Sequence, residues 1–307
     1  MNKKKEGTRR KQEQKTRSRW LITGGLLLVL IAGLWIVLSN KQSQSNGGRP
    51  ISRLTTNDFH ALAFSSTEPE TVFFGHHNGV MLSQDGGKNW RPISGISGDA
   101  MALAVPLSTP GLVYAAGHGL FSISEDDGKT WESPATNLPG TDIHGFIADP
   151  DDASQVYANV VGFGIFGSQD GGITWSQLST TGSPNIMVMS MAIGKNAQTL
   201  YLPGGQDGLW SSTDGGKTWA RVENAPDQGA IAALYVRDSG RLYVTTLGNT
   251  AGLYVSDDQG ATWTSTNLRG FFLAVAVSPL DPDHIIAVND RGEVFASRDG
   301  GISWSDK

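Results

Sequence analysis

The sequence contains no cysteine. Disulfide bonds, thiolate metal sites, a cysteine nucleophile and a lipidated N-terminal cysteine are therefore excluded. Charged residues are also scarce, at 17% of the chain, whereas glycine occurs 39 times. This composition is typical of a turn-rich β protein that is held together by its own core and hydrogen bonds.

The charges that are present are unevenly distributed. Residues 1–20 contain nine Lys or Arg and two Glu, whereas the rest of the chain contains 15 basic and 27 acidic residues. Phosphate binding requires clustered positive charge, so this acidic remainder predicts that nucleic acid is not a partner. The basic run directly precedes an apolar run, which favours a role in membrane topology.

Residues 20–39 contain no charged side chain. About 20 apolar helical residues span the ~30 Å hydrocarbon core of a bilayer. A cleaved signal peptide is the alternative, but the run is long for one and no A-x-A-like site follows it. The sequence therefore predicts a basic cytoplasmic tail at 1–19, a transmembrane signal anchor at 20–39 and a flexible linker at 40–50. By the positive-inside rule this is a single-pass plasma-membrane protein with an extracellular domain at 51–307.

An eight-residue pattern, S-x-D-x-G-x-x-W, recurs six times with its aspartates 41 or 44 residues apart. Each repeat also contains short apolar segments typical of strands, and four strands in such a repeat form a propeller blade. The sequence therefore predicts an all-β fold, a six-bladed β-propeller at 51–307 preceded by one transmembrane helix. The last repeat ends three residues after Trp304, so we expect Ile51–Leu54 to complete the sixth blade and close the ring.

The constant spacing of residues within the six boxes indicates that each box forms the same kind of turn. The aspartate can accept hydrogen bonds from the backbone of its own turn, and the tryptophan can cover the hairpin. Gly always stands two residues after the aspartate, whereas the residue between them varies, so only the Gly position is expected to need a positive φ. We interpret these residues as structural: Asp85, Asp126, Asp170, Asp214, Asp258, Asp299, Trp90, Trp131, Trp175, Trp219, Trp263 and Trp304.

Residues 58–304, which hold the six boxes, resemble the Asp-box (BNR) repeat family. That family includes sialidases and other glycoside hydrolases, sortilin-type receptors and photosystem assembly factors. The compact repeats look closer to the bacterial, assembly-factor-like and sortilin-like propellers than to true sialidases. A sialidase would need an arginine triad, but only Arg269 and Arg291 map to the face opposite the boxes. Four of the tyrosines occupy one repeated strand position, so they are interpreted as core.

The face opposite the boxes is the usual binding face of a propeller. Two D-x-H patterns, Asp58 to His60 and Asp142 to His144, occur at matching repeat positions, and residues two apart on a strand share a side. The candidate ligand-binding residues on this face are Asp58, His60, His76, His77, Asp99, His118, Asp142, His144, Asp290 and Arg291.

Three interpretations of this face stay open: solvated polar loops, a divalent metal site, or a glycan or peptide pocket. No cofactor is required by the sequence; if a metal is present, the candidate ligands are Asp58, His60, Asp142 and His144. The favoured hypothesis is a membrane-anchored binding or assembly module for an extracellular protein or glycan. The alternative is a cell-surface glycoside hydrolase in which two of Asp58, Asp99, Asp142 and Asp290 serve as acid and base, so catalysis is left open.

Overall fold

The chain folds into short antiparallel strands arranged in six sheets. The computed structural model describes residues 48–56, 58–178, 188–226 and 229–305. Within those ranges no helix long and apolar enough to cross a membrane is found. The predicted tail and membrane anchor lie outside the described residues, and so does all of the predicted linker except its last three residues. Transmembrane anchoring therefore stays a prediction.

The described ranges contain 23 strands. In chain order they are β1 (Ser52–Arg53), β2 (Ala61–Phe64), β3 (Val72–His76), β4 (Gly79–Ser83), β5 (Arg91–Pro92), β6 (Asp99–Ala104), β7 (Val113–His118), β8 (Leu120–Ser124), β9 (Ile143–Ala148), β10 (Val156–Val160), β11 (Gly164–Ser168), β12 (Ser176–Gln177), β13 (Ala192–Ile193), β14 (Leu200–Pro203), β15 (Leu209–Ser212), β16 (Ala220–Arg221), β17 (Ala230–Val236), β18 (Arg241–Thr246), β19 (Gly252–Ser256), β20 (Thr264–Arg269), β21 (Phe272–Val277), β22 (Ile285–Asn289) and β23 (Glu293–Ser297).

Each sheet is one blade, and its strands pair in sequence order. Blades one to five begin at β2, β6, β9, β13 and β17, and blade six consists of β21, β22, β23 and β1. In blade two the outer strand is reduced to a bridge between Ile123 and Glu132. The box tryptophan lies directly before the outer strand. Strands β5, β12, β16 and β20 each start at the residue after it, and the Trp90 indole N–H donates to the Gly87 carbonyl of its own turn.

The hydrophobic core lies between blades rather than within one layer. Six buried clusters occur among the described residues, and each joins the facing sides of two neighbouring blades. The inner strands are buried on both faces, as in Ala61–Phe64 of blade one. One of these clusters, which contains Leu54, joins blade six to blade one. The ring is therefore closed, and the fold is the predicted six-bladed propeller.

The predicted N-terminal latch is confirmed. Strand β1 pairs antiparallel with β23, so the first described strand completes the last blade. The backbone N–H of Ile51 donates to Val294 at 2.8 Å, and that of Leu54 donates to Gly292 at 2.8 Å. The Leu54 side chain is buried in the cluster between blades six and one. This pairing covers an edge that would otherwise be open to other strands.

In each of the six boxes the aspartate accepts a hydrogen bond from the serine of its own turn. In the first box the Asp85 Oδ1 atom accepts hydrogen bonds from the Ser83 hydroxyl (2.8 Å) and from the backbone N–H of Asn89 (2.9 Å). In the third box the Thr174 hydroxyl also donates to Asp170. The hydrogen bonds that Asp170 accepts lower its pKa to about 2, and the bond from the Thr174 hydroxyl has the largest effect. The box carboxylates therefore form their hydrogen bonds within their own turns.

The expectation that only one box position has a positive φ is wrong. The varied residue has a positive φ as well, including Asp127 and Gln259 at 61° each. The glycine that stands two residues after the aspartate has a larger φ, for example 88° in Gly87 and 96° in Gly172. A value near 60° is the small left-handed region that ordinary residues can occupy, whereas the larger angles strongly favour glycine. The variation in sequence therefore reflects the tolerance of that region.

Candidate functional site

The polar side chains of the candidate site lie where the inner strands of blades one to three begin and where the next hairpins turn. Asp58 and His60 precede β2, Asp99 opens β6, and His144 lies in β9. His77 is in the turn between β3 and β4. We call the set Asp58, His60, His77, Asp99, His118, Asp142 and His144 the rim cluster; its atoms form two groups in the described part of the chain.

The first group joins blade one to blade two. The His60 Nε2 atom lies 2.7 Å from Asp58 Oδ2 and 3.3 Å from Asp99 Oδ1. The His77 Nδ1 atom contacts the same Asp58 oxygen and lies 3.1 Å from His60 Nε2. His77 is about half exposed, whereas the other three side chains are largely enclosed. Two imidazoles and two carboxylates therefore converge on one point.

The second group joins blade two to blade three. The His118 Nε2 atom lies 2.6 Å from His144 Nε2 and 3.2 Å from Asp142 Oδ1. The same Asp142 oxygen lies 3.1 Å from His144 Nε2. His144 is buried, whereas Asp142 and His118 are about half exposed. This group is therefore open to solvent on one side.

Asp99 belongs to the first group and also contacts His118 of the second. Its Oδ1 atom faces the first group, and its Oδ2 atom accepts a 2.6 Å hydrogen bond from His118 Nδ1. Asp99 and His118 are cross-strand partners in blade two. A Cβ at Gly117 would stand 1.7 Å from the Asp99 carbonyl oxygen. Only glycine therefore permits the close approach that holds this pair together.

Burial sets the charge state of the enclosed histidines. Burial lowers the pKa of His60, and the raising effect of Asp99 is smaller. Burial also lowers the pKa of His144, where Asp142 raises it and His118 lowers it further. Neutral imidazole is the form that ligates metals and accepts hydrogen bonds. Burial therefore favours the neutral form of His60 and His144, which lie beside three carboxylates.

Three predicted site residues lie on the same face but outside the two groups. His76 is buried and stacks on Phe74, with ring centroids 6.0 Å apart. Asp290 and Arg291 lie in the turn between β22 and β23 of blade six. Burial raises the pKa of Asp290. The structure thus brings seven of the ten predicted residues together and leaves these three apart.

Two residues of this face were not singled out from the sequence. Val161 and Phe163 lie in the turn between β10 and β11, and their side chains are 39% and 49% exposed. The Val161 backbone N–H donates to the Asp142 carbonyl at 2.8 Å, so this apolar pair adjoins the second group. A large apolar residue in a turn beside a polar cluster is the signal that could have identified them.

Comparison with known proteins adds the following relationships. The sortilin–Vps10 family model (sortilin, neurotensin receptor 3) matches residues 207–306, which is less than half of the chain. No protein with a curated description matches the sequence. The predicted resemblance to sortilin-like and assembly-factor-like propellers, rather than to sialidases, agrees with this match and with the solved structures that are similar in fold.

Three of those structures illustrate the similarity. The GH74 enzyme of Niastella koreensis has 19% identity and a TM-score of 0.60, with 84% of this chain and 46% of that chain covered. The GH74 xyloglucanase of Xanthomonas campestris has 17% identity and a TM-score of 0.57, with 86% and 46% covered. YCF48 bound to a D1 peptide has 17% identity and a TM-score of 0.53, with 83% of each chain covered. This chain spans just under half the length of the two GH74 enzymes, and at these identities the likeness shows the fold alone.

Proposed function

We propose that this propeller is a binding or assembly module that engages an extended peptide segment of a partner protein at the rim cluster. The observation that carries the proposal is the convergence of seven polar side chains from three blades beside the exposed Val161 and Phe163. Binding sites commonly combine apolar surface with a few convergent polar groups. The opposite face is less suited to binding a peptide, because its box carboxylates already accept hydrogen bonds from the backbone of their own turns.

The placement of the module outside a membrane is part of the same proposal. The uncharged residues 20–39 and the basic residues before them support an anchor with a cytoplasmic N-terminus. Sedimentation with membranes after alkaline extraction tests this anchor. Release of the full-length protein into the supernatant would remove it from the proposal without affecting the rim cluster.

The peptide complex of YCF48 favours a peptide over a glycan. That protein is similar to this chain over 83% of both lengths and carries a D1 peptide in its solved structure. The equal coverage indicates a chain of comparable length. The GH74 enzymes are about twice as long as this chain, so a propeller of this size corresponds to only part of them.

A glycoside hydrolase is the second candidate function, favoured by the fold of the GH74 enzymes and by the rim carboxylates. The ligand oxygens of Asp58 and Asp99 lie within 4.8 Å of each other. Retaining enzymes hold their carboxyl groups about 5–5.5 Å apart and inverting enzymes hold them further apart. The Asp58 oxygen also faces two imidazoles and the backbone N–H of His77 at 2.8 Å. This arrangement suits neither geometry well.

One experiment separates the two functions. Peptides are selected from a displayed random library on the full-length protein, and the same protein is assayed with a panel of aryl glycosides. We expect selected peptides to lose at least about tenfold in affinity when the two exposed rim histidines are replaced, as in the double variant His77→Gln/His118→Gln. No glycoside should be hydrolysed.

The matched control carries two exposed changes on the box face, Lys88→Gln and Lys217→Gln, and should bind the peptides like the unmodified protein. A peptide affinity that is unchanged in His77→Gln/His118→Gln and lower in the control would overturn the proposal. Glycoside turnover that disappears in Asp58→Asn or Asp142→Asn would establish the hydrolase instead.

A further inference from the structure

We propose that the rim cluster holds two divalent transition-metal ions, one in each group, and that Asp99 couples the two sites. The inference rests on the proposed function in that it names a resident ligand of the same binding surface. The first site consists of Asp58, His60, His77 and Asp99. The second consists of His118, Asp142 and His144.

The first site has an unsatisfied buried acceptor that points into it. Asp99 is 7% exposed, and its Oδ1 atom accepts no hydrogen bond from any described residue. That oxygen lies 3.3 Å from His60 Nε2 and 3.7 Å from His77 Nδ1. A buried carboxylate oxygen without a partner is costly. A cation bound among these four atoms would satisfy it.

The charge of the first site also favours a cation. It contains two carboxylates and no Lys or Arg, and both carboxylates are largely enclosed. Two like charges this close repel each other, and withdrawal from water adds a desolvation cost. A divalent ion would balance the two carboxylates while the two imidazoles completed a four-ligand shell.

The second site offers more hydrogen-bond acceptors than donors among its three facing atoms. In the neutral tautomer that donates from Nδ1 to Asp99, the His118 Nε2 atom is an acceptor. It faces His144 Nε2 at 2.6 Å and Asp142 Oδ1 at 3.2 Å. A single proton on His144 Nε2 can serve only one of these two acceptors at a time. A metal ion accepts electron pairs from all three atoms together.

Asp99 links the sites by its two oxygens. Oδ1 would ligate the first ion, while Oδ2 holds the His118 ring that presents Nε2 to the second ion. Metal-bound histidines commonly donate their other N–H to a carboxylate, which fixes the tautomer and the ring orientation. Replacement of Asp99 should therefore weaken both sites, whereas replacement of His118 should weaken the second site.

The donor atoms indicate the class of ion. Imidazole nitrogen mixed with carboxylate oxygen suits Zn²⁺ and neighbouring first-row divalent metals rather than Mg²⁺ or Ca²⁺. The first site supplies four protein ligands, as structural zinc sites do. The second supplies three, with Asp142 and His118 half exposed. It therefore leaves a coordination position for a donor atom from outside, such as a carboxylate or imidazole of a bound peptide.

The test uses full-length protein that has been stripped with a chelator and then titrated with Zn²⁺ against a competing chromophoric chelator. We expect two Zn²⁺ ions per chain. Asp99→Asn should lower the affinity of both sites by roughly 10–100-fold. His118→Gln and Asp142→Asn, which change half-exposed side chains, should each abolish the second site and leave the first bound. Loading with Co²⁺ should give the visible absorption of tetrahedral nitrogen and oxygen coordination.

Asp207→Asn is the matched control, because Asp207 is an exposed carboxylate of blade four outside both groups, and it should bind two ions. Absence of bound Zn²⁺, one ion per chain, or two ions with unchanged affinity in Asp99→Asn would each overturn the inference. Peptide selection in the presence of chelator separates this failure from that of the proposed function. Rim-dependent peptides that bind without metal would leave the binding module intact.

Discussion

Replacement of Arg237 by methionine should lower the free energy of unfolding by about 3–5 kcal/mol. Arg237 follows strand β17 of blade five. Its guanidinium forms a bidentate pair with Asp149 of blade three at 2.6 and 2.8 Å and donates to the Gly194 carbonyl of blade four at 3.1 Å. One side chain thus connects three consecutive blades.

The large effect follows from what the substitution leaves behind. Asp149 is 2% exposed, so without Arg237 its carboxylate is a buried charge with no counterion. Removal of one partner of such a pair is far more destabilising than removal of both. The double variant Arg237→Met/Asp149→Leu should therefore be more stable than Arg237→Met alone.

Chemical denaturation monitored by tryptophan fluorescence measures these changes. The matched control is Arg298→Met, since Arg298 is 50% exposed and pairs with Glu70, which is 42% exposed. Exposed pairs contribute about 0–1 kcal/mol, so this variant should resemble the unmodified protein. Equal losses in the two arginine variants would refute the special role of Arg237.

Loss of the latch strand should have an effect of similar size. A chain that begins at residue 55 lacks β1, whereas a chain that begins at residue 48 keeps it. The shorter chain loses the burial of Leu54, worth about 1.5–3 kcal/mol, and the backbone hydrogen bonds to Val294 and Gly292, worth about 1 kcal/mol each. We expect a total loss of about 3.5–5 kcal/mol and a fall in melting temperature of roughly 7–20 °C.

Calorimetry and light scattering on the two truncated chains test this expectation. The chain from residue 48 keeps every described residue of the propeller, so it should unfold cooperatively. The shorter chain should also self-associate, because β23 would present an open sheet edge. Identical melting temperatures and identical scattering would show that ring closure does not depend on β1.

The repeats explain why the fold could be predicted from sequence alone. Six copies of one turn pattern imply six equivalent hairpins, and the short C-terminal repeat implies the latch at Ile51–Leu54. The turn conformation was predicted less well. Asp127 and Gln259 adopt a left-handed conformation that their residue types do not reveal, because ordinary side chains tolerate φ near 60° when the hydrogen bonds of the turn compensate.

The candidate site could be predicted only as a set of residues on one face. A contact within each D-x-H pair is expected from strand alternation, and the structure shows both contacts, although Asp58 and His60 lie just before β2. The role of Asp99 does not follow from any local pattern. It depends on the approach of strands at Gly117 and on the distance between neighbouring blades, which are properties of the packed ring.

The most direct test of the rim as the binding surface is hydrogen–deuterium exchange of the full-length protein with and without a selected peptide. The account predicts that the peptide slows exchange at residues 58–60, 76–78, 99–101, 118–119 and 142–144. Exchange at the box turns, such as 84–90 and 168–175, should be unchanged. Protection confined to the box turns would contradict the assignment of the binding face.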